Sequence, residues 1–361
     1  MFKKIFISIL LICAPLFLTG CISINFAGSD GSSIGIFKSV NAGNTWEQKT
    51  FFVTSSDKKN KGKQNIGRVN PTKILFHTND SQIIYLGTKK NGLNVSFNGG
   101  DEWHNIFIPK GKINDIAIDP KNKNILYIAS YNKIYKLFNQ EKELQEIFTE
   151  NQNQRYITSL AVDWGNPNRI YAGTNDGILL QSLNSGQSWN MLESFSKKNE
   201  TKNIIQKILI NRSDSRIVYA VTANAGIFRS GDQGRNWQEI TLGLEKFSNG
   251  KNIFDIAFDL NKKESFLLAT TYGLIKTDDE GKTWKNIELL SPPGTVKIYS
   301  VAINPKNSKE IYYGTNGAIY KTNDGGITWA TKKMPTQNAI KILLIDPKTP
   351  ATVYTGISNE K

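Results

Sequence analysis

The sequence predicts an all-β fold: a seven-bladed β-propeller of four-stranded antiparallel blades, its ring closed by pairing strands near the C-terminus with strands near the N-terminus. Three observations predict it. An eight-residue turn pattern ending in tryptophan recurs six times, at 39–46, 96–103, 182–189, 230–237, 277–284 and 322–329. Paired β-rich runs divided by a polar turn precede these copies, as at 113–129, 204–221, 253–270 and 298–314. Finally, the chain opens with a short strand pattern at 34–37 followed directly by a motif, and closes with runs at 340–346 and 352–357 that no motif follows. Each end supplies what the other lacks, and a closed ring leaves no sheet edge to aggregate.

The first element is an export signal. Lys3 and Lys4 precede an apolar run at 5–18 that is short for a bilayer span, and residues 1–20 are set aside from the fold. Leu18-Thr19-Gly20-Cys21 resembles the lipobox of bacterial lipoproteins, which implies cleavage before Cys21 and lipidation of its thiol. Several acyl chains, at about 0.8 kcal/mol per buried methylene, anchor far better than one. Residues 21–33 are then a lipidated tether and 34–361 the propeller. The resemblance implies an exported protein held on the periplasmic or cell-surface side of a membrane.

Composition narrows the chemistry. Cys13 leaves with the signal, so the mature chain keeps one cysteine and has no disulfide. Two histidines, His77 and His104, offer zinc or haem almost no ligands, and neither metal nor cofactor is expected. The net charge of +14 becomes +12 without Lys3 and Lys4. Export argues against nucleic acid as the partner. An excess of lysine and asparagine arises from AT-rich coding alone; it equally suits an acidic glycan, an acidic protein or a phospholipid surface.

Within the repeat, each position has a physical task. Gly43, Gly100, Gly186, Gly234, Gly281 and Gly326 supply a positive φ. Asn41, Asn98, Asn184, Asp232, Asp279 and Asp324 accept hydrogen bonds from the turn's own amides. Trp46, Trp103, Trp189, Trp237, Trp284 and Trp329 bury their rings, each worth at most roughly 4–6 kcal/mol at about 25 cal/mol per Å². The pattern resembles the Asp-box, or BNR repeat, whose role is structural. Spacing then counts the blades: Trp189, Trp237, Trp284 and Trp329 follow at 48, 47 and 45 residues, whereas Trp103 to Trp189 spans 86. One blade has therefore lost its box, and 113–148 fills the gap, with 135–138 and 144–148 as its outer strands.

In such blades the A–B and C–D turns share one face, while the B–C turns and the D-to-A links form the other. Box sequences barely vary, whereas the links at 51–73, 191–203, 241–252 and 288–297 differ in length and composition, as binding loops do. The longest carries Lys58, Lys59, Lys61, Lys63 and Arg68, with Lys89 and Lys90 in the B–C turn of the same blade. Two readings stand: a basic binding patch beside the channel mouth, or a solvated lysine loop. Asp115 and Asp255, at equivalent places on the A strands of the third and sixth blades, are candidates for a general acid and base acting on a glycan, with Asp176 as a third.

Seven short blades, six of them with a box, behind a lipobox are similar to the photosystem II assembly and stability factor family and to related bacterial BNR-propeller lipoproteins. That resemblance implies a non-enzymatic chaperone using an arginine patch, where this chain offers lysines. Sialidases share the box, but their Phe/Tyr-Arg-Ile-Pro motif has only Arg68-Val69-Asn70-Pro71 as a poor echo. Sortilin and the xyloglucanases share the blade in larger proteins. The expectation is a monomeric scaffold binding a protein or acidic glycan on the face opposite the boxes; the alternative is a sialidase-like or xyloglucanase-like glycoside hydrolase.

Overall fold

The computed structural model describes residues 33–49, 51–53, 63–65, 69–106, 111–138, 143–196 and 203–359. The expected signal, Cys21 and residues 21–32 lie outside these, as do Lys58, Lys59, Lys61, Arg68 and the side chain of Lys63.

Seven antiparallel sheets form the ring among the described residues. Blade 1 is stitched from both ends: Gly35–Ser39 and Glu47–Gln48 supply strands C and D, while Ala339–Ile345 and Val353–Ser358 supply A and B. Gly35 pairs with Ile357 and Ser39 with Val353, which closes the ring. Blade 2 has A to D as Pro71–Phe76, Ile84–Thr88, Leu93–Ser96 and Trp103–Ile106. Blade 3 begins with Ile113–Ile118 and Leu126–Ser130, and its outer strands, Lys133–Phe138 and Glu143–Thr149, pair without a box. Blades 4 to 7 start with A strands Ile157–Val162, Ile205–Ile210, Ile253–Phe258 and Ser300–Asn304.

Two features lie beyond the four-strand plan, both in links. A hairpin of Phe51–Val53 and Lys63–Asn65 adds to the outer strand of blade 2 by parallel pairing, making a six-stranded sheet. The link after blade 5 holds a short 3-10 helix, Leu242–Lys246, which seats Leu244 in the core.

Except in blade 7, where only Ile311 to Gly314 are buried, B strands are buried along their whole length, since each is covered on both faces by neighbouring blades. They therefore read as continuous apolar runs. Blades approach closely where a B strand carries a small residue: a methyl at Gly173 would come 2.6 Å from Ile205 Cγ2, and one at Gly314 2.6 Å from Ile340 Cγ2. In these blades an isoleucine at the head of the next A strand packs on a B-strand glycine, and a larger side chain would force the blades apart.

Candidate functional site

The six boxes share one geometry. In the first, Gly43 N donates to Ser39 Oγ at 2.9 Å, Thr45 N to Asn41 Oδ1 at 2.9 Å, and Ser39 Oγ to Asn41 Oδ1 at 3.0 Å. The same set recurs at Thr322, Asp324, Gly326 and Thr328, and each box glycine has φ between +83° and +102°. The tryptophan of one blade packs against the B strand of the blade before it: Trp46 beside Tyr312, Trp103 beside Tyr354, Trp284 beside Tyr219. Trp189, Trp237 and Trp329 are only half-buried, so burial is less complete than the motif suggests. In three of the six boxes a tyrosine hydroxyl from the preceding blade's B strand also latches the turn: Tyr354 to Gly99 O at 2.8 Å, Tyr171 to Gln233 O at 2.9 Å, Tyr312 to Ala42 O at 3.3 Å. Each box is in this way mortar between blades, and the face it occupies is spent on structure.

The A strands line the axis. At one register position, opposite a small residue of strand B in most blades, stand Lys73, Asp115, Ser159, Lys207, Asp255, Ser300 and Ile342. The order Lys-Asp-Ser repeats over blades 2–4 and 5–7. Asp115 accepts from its neighbour Ile116 N at 2.9 Å, from Leu160 N of blade 4 at 2.9 Å, and pairs with Lys73 of blade 2 at 2.6 Å. Asp255 repeats this with Ile256 N at 2.8 Å, Val301 N of blade 7 at 3.0 Å, and Lys207 of blade 5. Each buried carboxylate thereby clamps three consecutive blades. Asp115 and Asp255 stand three blades apart around the ring. Asp176 is engaged too: Arg155 Nε donates to it at 2.8 Å and Thr174 Oγ1 at 2.6 Å.

The face opposite the boxes carries several lysines. Lys89 and Lys90 sit in the B–C turn of blade 2, where Lys89 N donates to Asn70 O at 3.0 Å. The structure adds three lysines that sequence reading missed. Lys112 precedes the A strand of blade 3, Lys297 that of blade 7, and Lys341 lies on the A strand of blade 1. Burial lowers the ammonium pKa of Lys341, helped by repulsion from Lys297 and Lys89; burial and then Lys89 lower that of Lys112. No linear motif marks them, because each comes from a separate repeat.

At the other mouth, on the box face, Ile118, Pro120, Val162, Trp164, Leu209 and Arg212 line a cavity of about 480 Å³. Trp164 is the one tryptophan outside a box, 37% exposed, its ring nitrogen donating to Asn211 O at 2.8 Å. Its absence from the repeat was the available signal.

Residues 196–358 match the family described as Photosynthesis system II assembly factor YCF48. Among curated proteins, Xyloglucanase Xgh74A of Acetivibrio thermocellus is 31% identical over 198 residues, covering 50% of this chain and 20% of its own length. Photosystem II assembly lipoprotein Ycf48 of Synechococcus sp. (strain CC9902) is 27% identical over 143 residues, covering 39% of this chain and 41% of its own. The chain thus matches about a fifth of the xyloglucanase and about two-fifths of the lipoprotein. Among solved structures, the GH74 enzyme of Niastella koreensis superposes with a TM-score of 0.65 at 19% identity, over 80% of this chain and 51% of that one. YCF48 bound to D1 peptide superposes with a TM-score of 0.59 at 15% identity, over 80% and 92%. At these identities the superpositions speak for the fold.

Proposed function

We propose, from the premise that this chain is a seven-bladed Asp-box propeller of the BNR-repeat class, that it serves as an exported, lipid-anchored, non-enzymatic scaffold that binds a polypeptide partner. The observation that carries this reading is the use of Asp115 and Asp255 as clamps. Each has both oxygens committed to backbone amides and a lysine. A glycosidase needs two carboxyl groups roughly 5–9.5 Å apart across the scissile bond, whereas these two stand in blades 3 and 6. A relative of similar architecture in complex with a peptide, YCF48 with D1 peptide, supports a polypeptide as the partner class.

Anchoring follows from Cys21: Cys21→Ser leaves the protein unlipidated and moves it from the membrane fraction to the soluble exported fraction. Partner binding is tested by recovering cross-linked proteins from the host envelope with the wild type and with Lys89→Glu/Lys90→Glu together with Lys58, Lys59, Lys61 and Lys63 changed to glutamate. Loss of the same recovered species in the variant supports the lysine-rich link as the docking surface; identical profiles remove it.

The similarity to Xyloglucanase Xgh74A favours a second reading, hydrolysis of an extracellular glycan. Incubation with xyloglucan and with sialosides, followed by reducing-sugar release, decides between the two. Turnover that disappears in Asp115→Asn and Asp255→Asn variants that remain folded makes the protein a hydrolase and ends the scaffold reading.

A further inference from the structure

We propose that the channel mouth on the box face binds a small amphipathic carboxylate, its apolar body against the A-strand ends of blades 3–5 and its charge on Arg212. Each A–B turn there is capped by the first residue after strand A: Asp119, Asp163 and Asn211 accept from the amides that follow them. The residue after the cap holds one place per blade, and at that place Pro120, Trp164 and Arg212 line the cavity of about 480 Å³. Blades 7 and 1 carry Pro305 and Pro347 there. Proline pre-sets such a turn, whereas neither tryptophan nor arginine is needed for it. The wall beside them is aliphatic and uncovered. Ile118, Val162 and Ile210, the last residues of three successive A strands, are half-buried, while the equivalent Ile345 and Phe76 of blades 1 and 2 are buried. Apolar surface gathered in a concavity of this size marks a ligand pocket.

The wall is set before a ligand arrives. Trp164 Nε1 donates at 2.8 Å to Asn211 O, the carbonyl just before Arg212, and Lys121 Nζ donates at 3.0 Å to Gly165 O, just after Trp164. These bonds join the turns of blades 3, 4 and 5, so little entropy is lost when the pocket fills. Arg212 is exposed and, among the described residues, has no carboxylate within ion-pair distance. The acids of the neighbouring turns are taken: Asp214 holds Arg216 through two hydrogen bonds, and Asp163 holds Arg169. A guanidinium presents a planar fork that a carboxylate fills with two parallel hydrogen bonds. One such cation beside an apolar wall suits a single charge on an apolar body. This site stands apart from the polypeptide role, which survives its loss.

The test titrates the whole exported chain with octanoate and with phenylpropionate, each against its alcohol, octanol or phenylpropanol, by calorimetry and by tryptophan fluorescence. At least one carboxylate is expected to bind about tenfold or more tightly than its alcohol. Preference for octanoate marks an aliphatic ligand, preference for phenylpropionate an aromatic one. For an aliphatic ligand, hexanoate binds more weakly than octanoate, by about fourfold per methylene removed. Arg212→Gln is expected to bring the carboxylate down to the level of its alcohol while leaving alcohol binding and the melting temperature unchanged. Trp164→Phe is expected to keep calorimetric binding and abolish the fluorescence change. Arg235→Gln, in the box of blade 5, is expected to bind as the wild type does. Carboxylates bound no more tightly than their alcohols, or undiminished in Arg212→Gln, overturn the proposal. A fluorescence change that survives Trp164→Phe places the ligand elsewhere and overturns it too. If Trp164→Phe melts lower and loses binding, the Arg212→Gln result alone decides.

Discussion

Tyr354 joins two blades through one hydroxyl: it is buried, its ring packs edge-on to Phe76 at 5.5 Å, and its oxygen donates to the carbonyl of Gly99 in the next box. Tyr354→Phe keeps the ring and leaves that carbonyl unsatisfied, so unfolding free energy falls by about 1 kcal/mol in chemical denaturation, and Tyr171→Phe behaves alike. A second residue-scale difference separates the boxes. Those of blades 1, 2 and 4 carry asparagine, those of blades 5, 6 and 7 aspartate. Hydrogen bonds from the backbone and side chain of Asn236, with Ser230, hold the Asp232 carboxyl down to about 2. Its folded-state pKa lies below the unfolded value near 3.9, so its contribution is complete above about pH 4 and is lost as pH falls through 2. The melting-temperature difference between wild type and Asp232→Asn is therefore constant above pH 5 and shifts toward the variant between pH 4 and 2. A difference that stays flat to pH 2 refutes the hydrogen-bonded carboxylate.

The elements that decide the channel are the A strands, and their clamps are as much backbone as side chain. Thr72 and Thr158 hydroxyls and the Asn114 amide reach carbonyls of the next A strand at 2.6–2.7 Å, on either side of the Asp115 clamp. Removing an aspartate strands two buried amides and a lysine. Asp115→Ala accordingly costs on the order of 3 kcal/mol, and hydrogen exchange at the Leu160 amide accelerates before that of the rest of blade 4. Unchanged exchange at Leu160 would mean that the clamp contributes nothing local. Between the B strand of blade 4 and the A strand of blade 5 the constraint is steric: Gly173→Val drives a side chain into Ile205 and costs about 1–3 kcal/mol, read as a lower denaturation midpoint.

Across the whole molecule, stability depends on closure. Removing 339–361 takes strands A and B from blade 1 and exposes the edge of Gly35–Ser39. The shortened chain loses its single cooperative unfolding transition and self-associates in light scattering, whereas a permutant joined through the native termini and opened within 197–202 melts within a few degrees of the parent. An unchanged transition in the shortened chain would show that the seventh sheet is dispensable.

Blade count and closure were legible because box, strand and spacing are local patterns repeated often enough to identify one another; the lost box of blade 3 was visible as a doubled interval between Trp103 and Trp189. The equivalence of Asp115 and Asp255 was legible as well, but their partners were not. Lys73 and Lys207 lie more than forty residues away, and the Leu160 and Val301 amides carry no side-chain signal at all. For the same reason the sequence pointed to the dense lysines of one link, while Lys297, Lys341 and Lys112 gave no cluster in the chain. Repetition writes each blade's interior into its own forty-odd residues; what faces the axis is assembled from one residue per blade, and only closing the ring brings those residues together.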